Sequence, residues 1–271
     1  MVWNRVKAII KKDLSEVGVN KMVVIPMIIV PLILCVLVPA VLLFIALSAD
    51  MEMINGIEFI EKILPYYPVP EGMNNLTLKI LYVFLNFSFI PFFMIVPLMV
   101  SSIIASNGIV GEKERKTLET LLYTPITNRE FLTGKLSAAL IPAILLSWTS
   151  FLLFFGVSNI ISCVLADVII ISSPMWIPSM LLLAPSVSLL GLAITLLVSL
   201  KARTFMEAQQ MSGVVVLPFI ILIIVQIMGI LVFNLLFILF FALVLFGAGV
   251  LIVLRLAPRF TRETIITRVG T

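Results

Sequence analysis

Side chains able to make or break covalent bonds are scarce in this sequence. Of 271 residues none is histidine and two are cysteine. Cys35 and Cys163 each stand alone in an apolar run, so neither a disulfide framework nor a thiolate metal site is expected. No phosphate-cradling GxxxxGK[ST] occurs, because Gly108 and Gly111 lack both the spacing and the lysine. Without histidine, or paired polar residues at matching depth, the chain offers no protease or hydrolase constellation. The chemistry left is that of docking, and it is concentrated in Gly111 to Lys135, GEKERKTLETLLYTPITNREFLTGK. There Glu112, Lys113, Glu114, Arg115, Lys116 and Glu119 make a mixed-sign face, with Glu112–Lys116 and Arg115–Glu119 at the i,i+4 spacing that supports a helix. Leu118, Leu121 and Leu122 line the opposite face. Thr124-Pro125 breaks that helix, since proline has no amide hydrogen and drives the residue before it out of the helical region. Thr127 and Glu130 then read as a capping box that starts the next helix.

The elements around this island are apolar. Ile80 to Val110 and Leu136 to Ala166 contain no Asp, Glu, Lys or Arg, and each exceeds the roughly 20 apolar residues that cross a bilayer. The island is therefore a loop between two membrane spans. With 62% hydrophobic and 12% charged residues, the chain falls well below the charged fraction of about 25% in soluble domains. An all-α, polytopic membrane protein with six transmembrane helices is expected, in one domain.

Residues 1–21 carry Arg5, Lys7, Lys11, Lys12 and Lys21 beside apolar residues at helical spacing and Trp3, the pattern of a helix lying in the membrane interface. The spans are expected at 22–49, 80–110, 136–163, 175–200, 208–230 and 234–254, the last two inside one uncharged run from Ala208 to Leu254. Residues 50–79 form a short acidic outer loop with a small amphipathic helix over Ile54 to Leu64, and 255–271 a basic tail. All of the 18 basic residues except Lys62 and Lys79 fall on one side of this arrangement. By the positive-inside rule that side, with both termini, is cytoplasmic. Asp167 is read as an outer-interface residue, and the serines and threonines within the spans as packing groups.

The order Gly-Glu-Lys-Glu-Arg-Lys-Thr-Leu-Glu, two leucines, Thr-Pro, then Arg-Glu and Gly-Lys resembles the signature of type-2 ABC exporter permeases, close to their sodium-extruding and multidrug branch. The resemblance implies that the N-terminal helix is an elbow helix and that the loop carries a cytoplasmic coupling helix docking on a separate ATPase subunit. It puts that contact on Glu112, Glu114, Arg115, Thr117, Leu118, Glu119, Leu122 and Pro125, and the start of the following span on Gly134 and Lys135. Lys201 to Gln210, KARTFMEAQQ, resembles an inner loop of the same family, which makes Glu207 a second contact or a helix-end anchor. The implied partners are that ATPase, which would hold ATP and magnesium, a second permease subunit in a homodimer or heterodimer, and the lipid bilayer of the cell membrane. Nucleic acid is not among them, and no catalytic, cofactor or metal residue is assigned. The competing readings are a non-transporting anchor or regulatory subunit and a membrane-embedded enzyme.

Overall fold

The computed structural model describes residues 2–48, 64–70, 73, 75–117, 126–227 and 234–257. Helix α1, Trp3–Val19, ends where Asn20 adopts an extended backbone, and its side chain accepts from the Met22 amide at 3.1 Å to start the next helix. Six helices long and apolar enough to cross a membrane come after it: α2 (Lys21–Ser48), α3 (Leu76–Glu114), α4 (Asn128–Ala166), α5 (Trp176–Ser199), α6 (Phe205–Gln226) and α7 (Leu235–Leu256). Among the described residues there is no strand. On the charged side the helices outrun the apolar segments, α3 to Glu114 and α4 back to Asn128. Helical hydrogen bonding needs no apolar side chain, and the Thr127 cap sets where α4 begins. The outer-loop helix expected over Ile54 to Leu64 lies outside the described residues except for Leu64, which starts a short 3-10 turn, Leu64–Tyr66. The turn between α6 and α7 and the basic tail beyond Ala257 also lie outside them.

Helix α3 is the axis of the bundle. Its apolar window is 83% buried, against 17–22% for α2, α4, α6 and α7. Small residues permit this packing. A Cβ on Gly191 of α5 would stand 2.6 Å from Ser101 Oγ and 2.8 Å from the Leu98 carbonyl oxygen, so only glycine lets α3 and α5 cross this closely. The hydroxyls of Ser147, Ser186, Ser188 and Thr195 each donate to the carbonyl four residues back, at 2.7–2.9 Å, which is the packing role expected of them.

Four π turns widen the described helices. Three of them, Ile33–Leu37, Phe84–Ser88 and Ser179–Leu183, contain the residue four before a proline (Pro39, Pro91 and Pro185). The wider turn moves aside the carbonyl that the proline ring would strike. The fourth, Asn107–Gly111, has no proline after it and runs directly into Glu112.

At the end of the bundle far from α1, α4 stops at Asp167, an exposed residue with a left-handed backbone (φ 53). The chain then returns as irregular backbone that buries Ile170 and Ile171. Two side-chain amides hold it. Asn86 donates to the Ile170 carbonyl at 2.7 Å and accepts from the Ser173 amide at 3.0 Å. Asn159 accepts from the Ile171 amide at 2.8 Å. Trp176 opens α5 against Phe93, Phe151 and Phe154, with ring centroids 5.1–5.8 Å apart.

Candidate functional site

At the opposite end, the flanks of the charged island meet α1 in a buried set of ion pairs. On α1 the apolar stripe Val6, Ile9 and Val17 packs inward, and Asp13 shares that stripe at 3% exposure. A carboxylate in such a stripe requires a partner. Lys135, in the second turn of α4, supplies it, with Nζ 2.9 Å from Asp13 Oδ1. The same ammonium lies 2.7 Å from Glu112 Oε1 at the end of α3. Lys12 closes the set from α1, pairing with Glu112 and, at 3.1 Å, with Glu16. Burial pushes the Asp13 carboxyl above its ordinary range against the pull of Lys135. For Lys12, burial lowers the pKa, but the hydrogen bond and charge of Glu112 outweigh it and the group ends raised.

Two local features of sequence, Gly134 and a π turn, make this meeting possible. Gly134 admits α1, because a Cβ there would stand 2.8 Å from Ile9 Cγ2. Gly108 lies beside the pair, where a Cβ would make only ordinary contacts, 3.6 Å from Asp13 Oδ2 and 3.8 Å from Lys135 Nζ. The π turn Asn107–Gly111 adds a residue to its turn and so rotates the end of α3, turning Glu112 toward the bundle interior. Its Asn107 Oδ1 accepts from Asn20 Nδ2 at 3.0 Å and from Arg115 at 3.4 Å, tying the turn to the link between α1 and α2.

A second clamp holds the start of α1 to the start of α4. The expected capping box is present, with Thr127 accepting from the Glu130 amide at 3.3 Å and Glu130 accepting from the Thr127 amide at 3.0 Å. The buried Glu130 carboxylate also accepts from the Val2 amide at 2.5 Å and lies 3.7 Å from Arg5. Helix α1 is thus fixed to α4 at two levels.

The sequence-assigned contact residues divide. Glu112 is corrected: it does not sit on an exposed mixed-sign face paired with Lys116 but is buried, 1% exposed, and paired with Lys12 and Lys135. The helix of that face stops at Glu114, and Lys116 is left-handed (φ 59). Glu114, Arg115 and Thr117 are exposed at the turn. Glu114 also accepts from the Phe205 amide at 2.8 Å, and Lys113 donates to the Ala202 carbonyl at 3.4 Å, so the two loops of this end are bound together. Glu207 accepts from the Arg203 amide at 2.8 Å while Thr204 caps the Glu207 amide at 3.2 Å, an arrangement that starts α6. Leu118, Glu119, Leu122 and Pro125, with the Thr124-Pro125 break, lie outside the described residues.

Sequence reasoning missed Asp13, Lys12 and Glu16, although Asp13 on the apolar stripe was the available signal. Oxygens of Asp13, Glu16 and Glu112 lie within 4.8 Å of one another, as in a cation site. Two lysine ammoniums already bind Asp13 Oδ1, Glu16 Oε1 and Glu112 Oε1, which gives the cluster its positive charge from the chain itself. The arrangement is a joint among α1, α3 and α4, with no group placed to attack a substrate.

Six spanning helices, one of them buried at the centre of the others, define a multi-pass membrane protein. Residues 7–242 match the family model described as ABC-2 family transporter protein, and the chain belongs to that family. It is therefore a permease subunit of an ABC transporter. A search of curated proteins gave no match.

Proposed function

We propose that this chain is the membrane-spanning half of an ATP-driven exporter whose ATPase is a separate polypeptide. The ATPase docks on the loop between α3 and α4 through Arg115, Thr117, Leu118, Glu119, Leu122 and Pro125, with Glu114 and Glu207 beside them. Two permease copies, identical or related, work with the ATPase pair in the cell membrane. The basic end, with both termini, faces the cytoplasm, in accord with the charge bias between the ends.

One observation carries the reading. The two residues that flank the loop, Glu112 and Lys135, are joined to each other at 2.7 Å and to α1. A displacement of the loop therefore moves α1, α3 and α4 together instead of fraying one helix end. ATP binding by the partner closes the ATPase pair, pushes on the loop and tilts these helices so that a path opens outward. That joint explains why Glu112 and Lys135 belong to the motif without touching the partner.

The test is co-purification. Arg115→Glu combined with Glu119→Lys reverses exposed or loop charges while leaving the buried joint intact. The expected result is loss of the ATPase from the purified complex with normal membrane insertion. Retained binding overturns the docking assignment, and ATP turnover by the purified chain alone overturns the division of labour.

A further inference from the structure

The buried joint has an electrostatic consequence for the outer face of α1. Both acids of that helix are drawn into pairs with lysines, Asp13 with Lys135 and Glu16 with Lys12, and Arg5 faces Glu130. Lys7, Lys11 and Lys21 remain exposed with no ion-pair partner among the described residues. The outer face of the helix is thus cationic, although the helix itself carries acids.

Beside those lysines runs an apolar edge. Trp3 is 55% exposed and Leu14 lies on the same side of the helix, with Lys7 next to Leu14 in helical projection. At the end of α1, Val19, 82% exposed, and just past it Met22, 71% exposed, lead to the exposed Ile25, Ile28 and Ile29 of the spanning helix α2. A surface continuous with the outside of a membrane span, apolar along one edge and lysine-bearing along the next, matches the boundary between acyl chains and headgroups. Each lysine near an anionic membrane surface adds to binding, so three of them select for headgroup charge.

We infer that the outer face of α1, together with the first residue of α2, is a binding surface for anionic phospholipid headgroups, held by Lys7, Lys11 and Lys21 with Trp3 and Leu14 inserted below them. The interfacial placement is common to amphipathic helices; the selection for negative lipid comes from the burial of Asp13 and the pairing of Glu16 with Lys12. The lysines of this face point to a charge that zwitterionic lipid lacks, and the apolar residues beside them suit insertion under the headgroups. The inference does not depend on which ATPase drives the protein.

The test uses the full chain in nanodiscs of phosphatidylcholine mixed with phosphatidylglycerol. Lipid retained by the chain after extraction into detergent is read by native mass spectrometry. The chain is expected to retain phosphatidylglycerol in preference to phosphatidylcholine. Lys7→Gln, Lys11→Gln and Lys21→Gln together lower that preference about tenfold or more. Replacing the same three by arginine preserves it, which separates charge from folding. Removing three other exposed cations, by Arg129→Gln, Lys201→Gln and Arg255→Gln, leaves it in place. Full retention by the glutamine variant overturns the proposal, as does equal loss in both glutamine variants. Displacement of the lipid by inorganic phosphate would mean a free-anion site, and protection of Lys7 and Lys11 only when an ATPase co-purifies would mean a protein-docking face; either result also overturns it.

Discussion

The two ends of the bundle bury polar groups in opposite ways. At the basic end the buried groups are full charges contributed by three helices, Asp13 from α1, Glu112 from α3 and Lys135 from α4. At the far end they are neutral amides, the buried Asn86 and the half-buried Asn159, which bind the backbone of one short segment. An amide fixes a carbonyl and an N–H locally, and losing it affects that segment. A charge removed from water is tolerable only while its partner stays, so the three helices that share these charges are coupled energetically. The basic end thus ties three helices together, and the far end holds one segment in place.

Removal of the shared cation tests this contrast most strongly. Lys135→Met leaves Asp13 and Glu112 facing each other in the interior, with Lys12 alone to offset them. The expected loss is about 3–5 kcal/mol of stability, seen as a much lower midpoint in thermal unfolding followed by size-exclusion chromatography. The triple variant Asp13→Asn, Glu112→Gln, Lys135→Met leaves no charge at the joint's centre and is expected to be more stable than the single one. It should still lose transport, because packing replaces pairing without restoring the coupling. A triple variant as unstable as Lys135→Met would show that the charges stabilise by pairing alone.

Gly134→Ala probes the same joint sterically. The added Cβ meets Ile9 Cγ2 at 2.8 Å and Ile9 Cβ at 2.9 Å, so α1 must lift from α4 or shift along it. Overpacking of this kind costs about 1–3 kcal/mol, and Ile9→Ala in the same chain should recover part of it. Lack of any recovery would move the cause away from the α1–α4 contact.

Asn86→Ala is the matching change at the far end. It strands the Ile170 carbonyl and the Ser173 amide in an apolar setting, a loss of about 1–3 kcal/mol. Since the amide serves one segment, ATPase co-purification should be unaffected. Loss of that association in Asn86→Ala while the chain stays folded would erase the distinction between the two ends.

The features legible in the sequence divide along the same line. Six spans are readable because the lipid demands long uncharged runs, and Ile80 to Val110 can be nothing shorter than a crossing. The capping box at Thr127 and Glu130 is readable because its residues are local. Glu112 is misplaced by helical counting because its orientation depends on a π turn. An extra residue in the turn shifts the rest of the helix by about 100°, and the helix then stops at Glu114, short of the i,i+4 partner Lys116; no proline announces this turn. Gly134 and Lys135 stand out as a motif, yet their purpose, to admit Ile9 and to bind Asp13, depends on a helix more than a hundred residues away. The lone carboxylate among Val6, Ile9 and Val17 is the one trace of it.

The smallest expected effect bears on whether Glu207 belongs with the joint or with the ATPase. Thr204 and Glu207 cap α6 reciprocally, the hydroxyl receiving the Glu207 amide and the carboxylate receiving the Arg203 amide. Thr204→Ala removes one half of this cap and Glu207→Gln weakens the other, each lowering stability by about 0.5–2 kcal/mol. On stability alone the two variants are alike. They separate in co-purification, since Thr204→Ala keeps the exposed carboxylate and Glu207→Gln does not. Weaker ATPase retention in Glu207→Gln alone would assign Glu207 to the partner surface, alongside the Glu114 that holds the Phe205 amide one turn away. Equal retention in both variants would leave Glu207 as the cap that seats α6 against α3, and would confine the docking surface to the loop between α3 and α4.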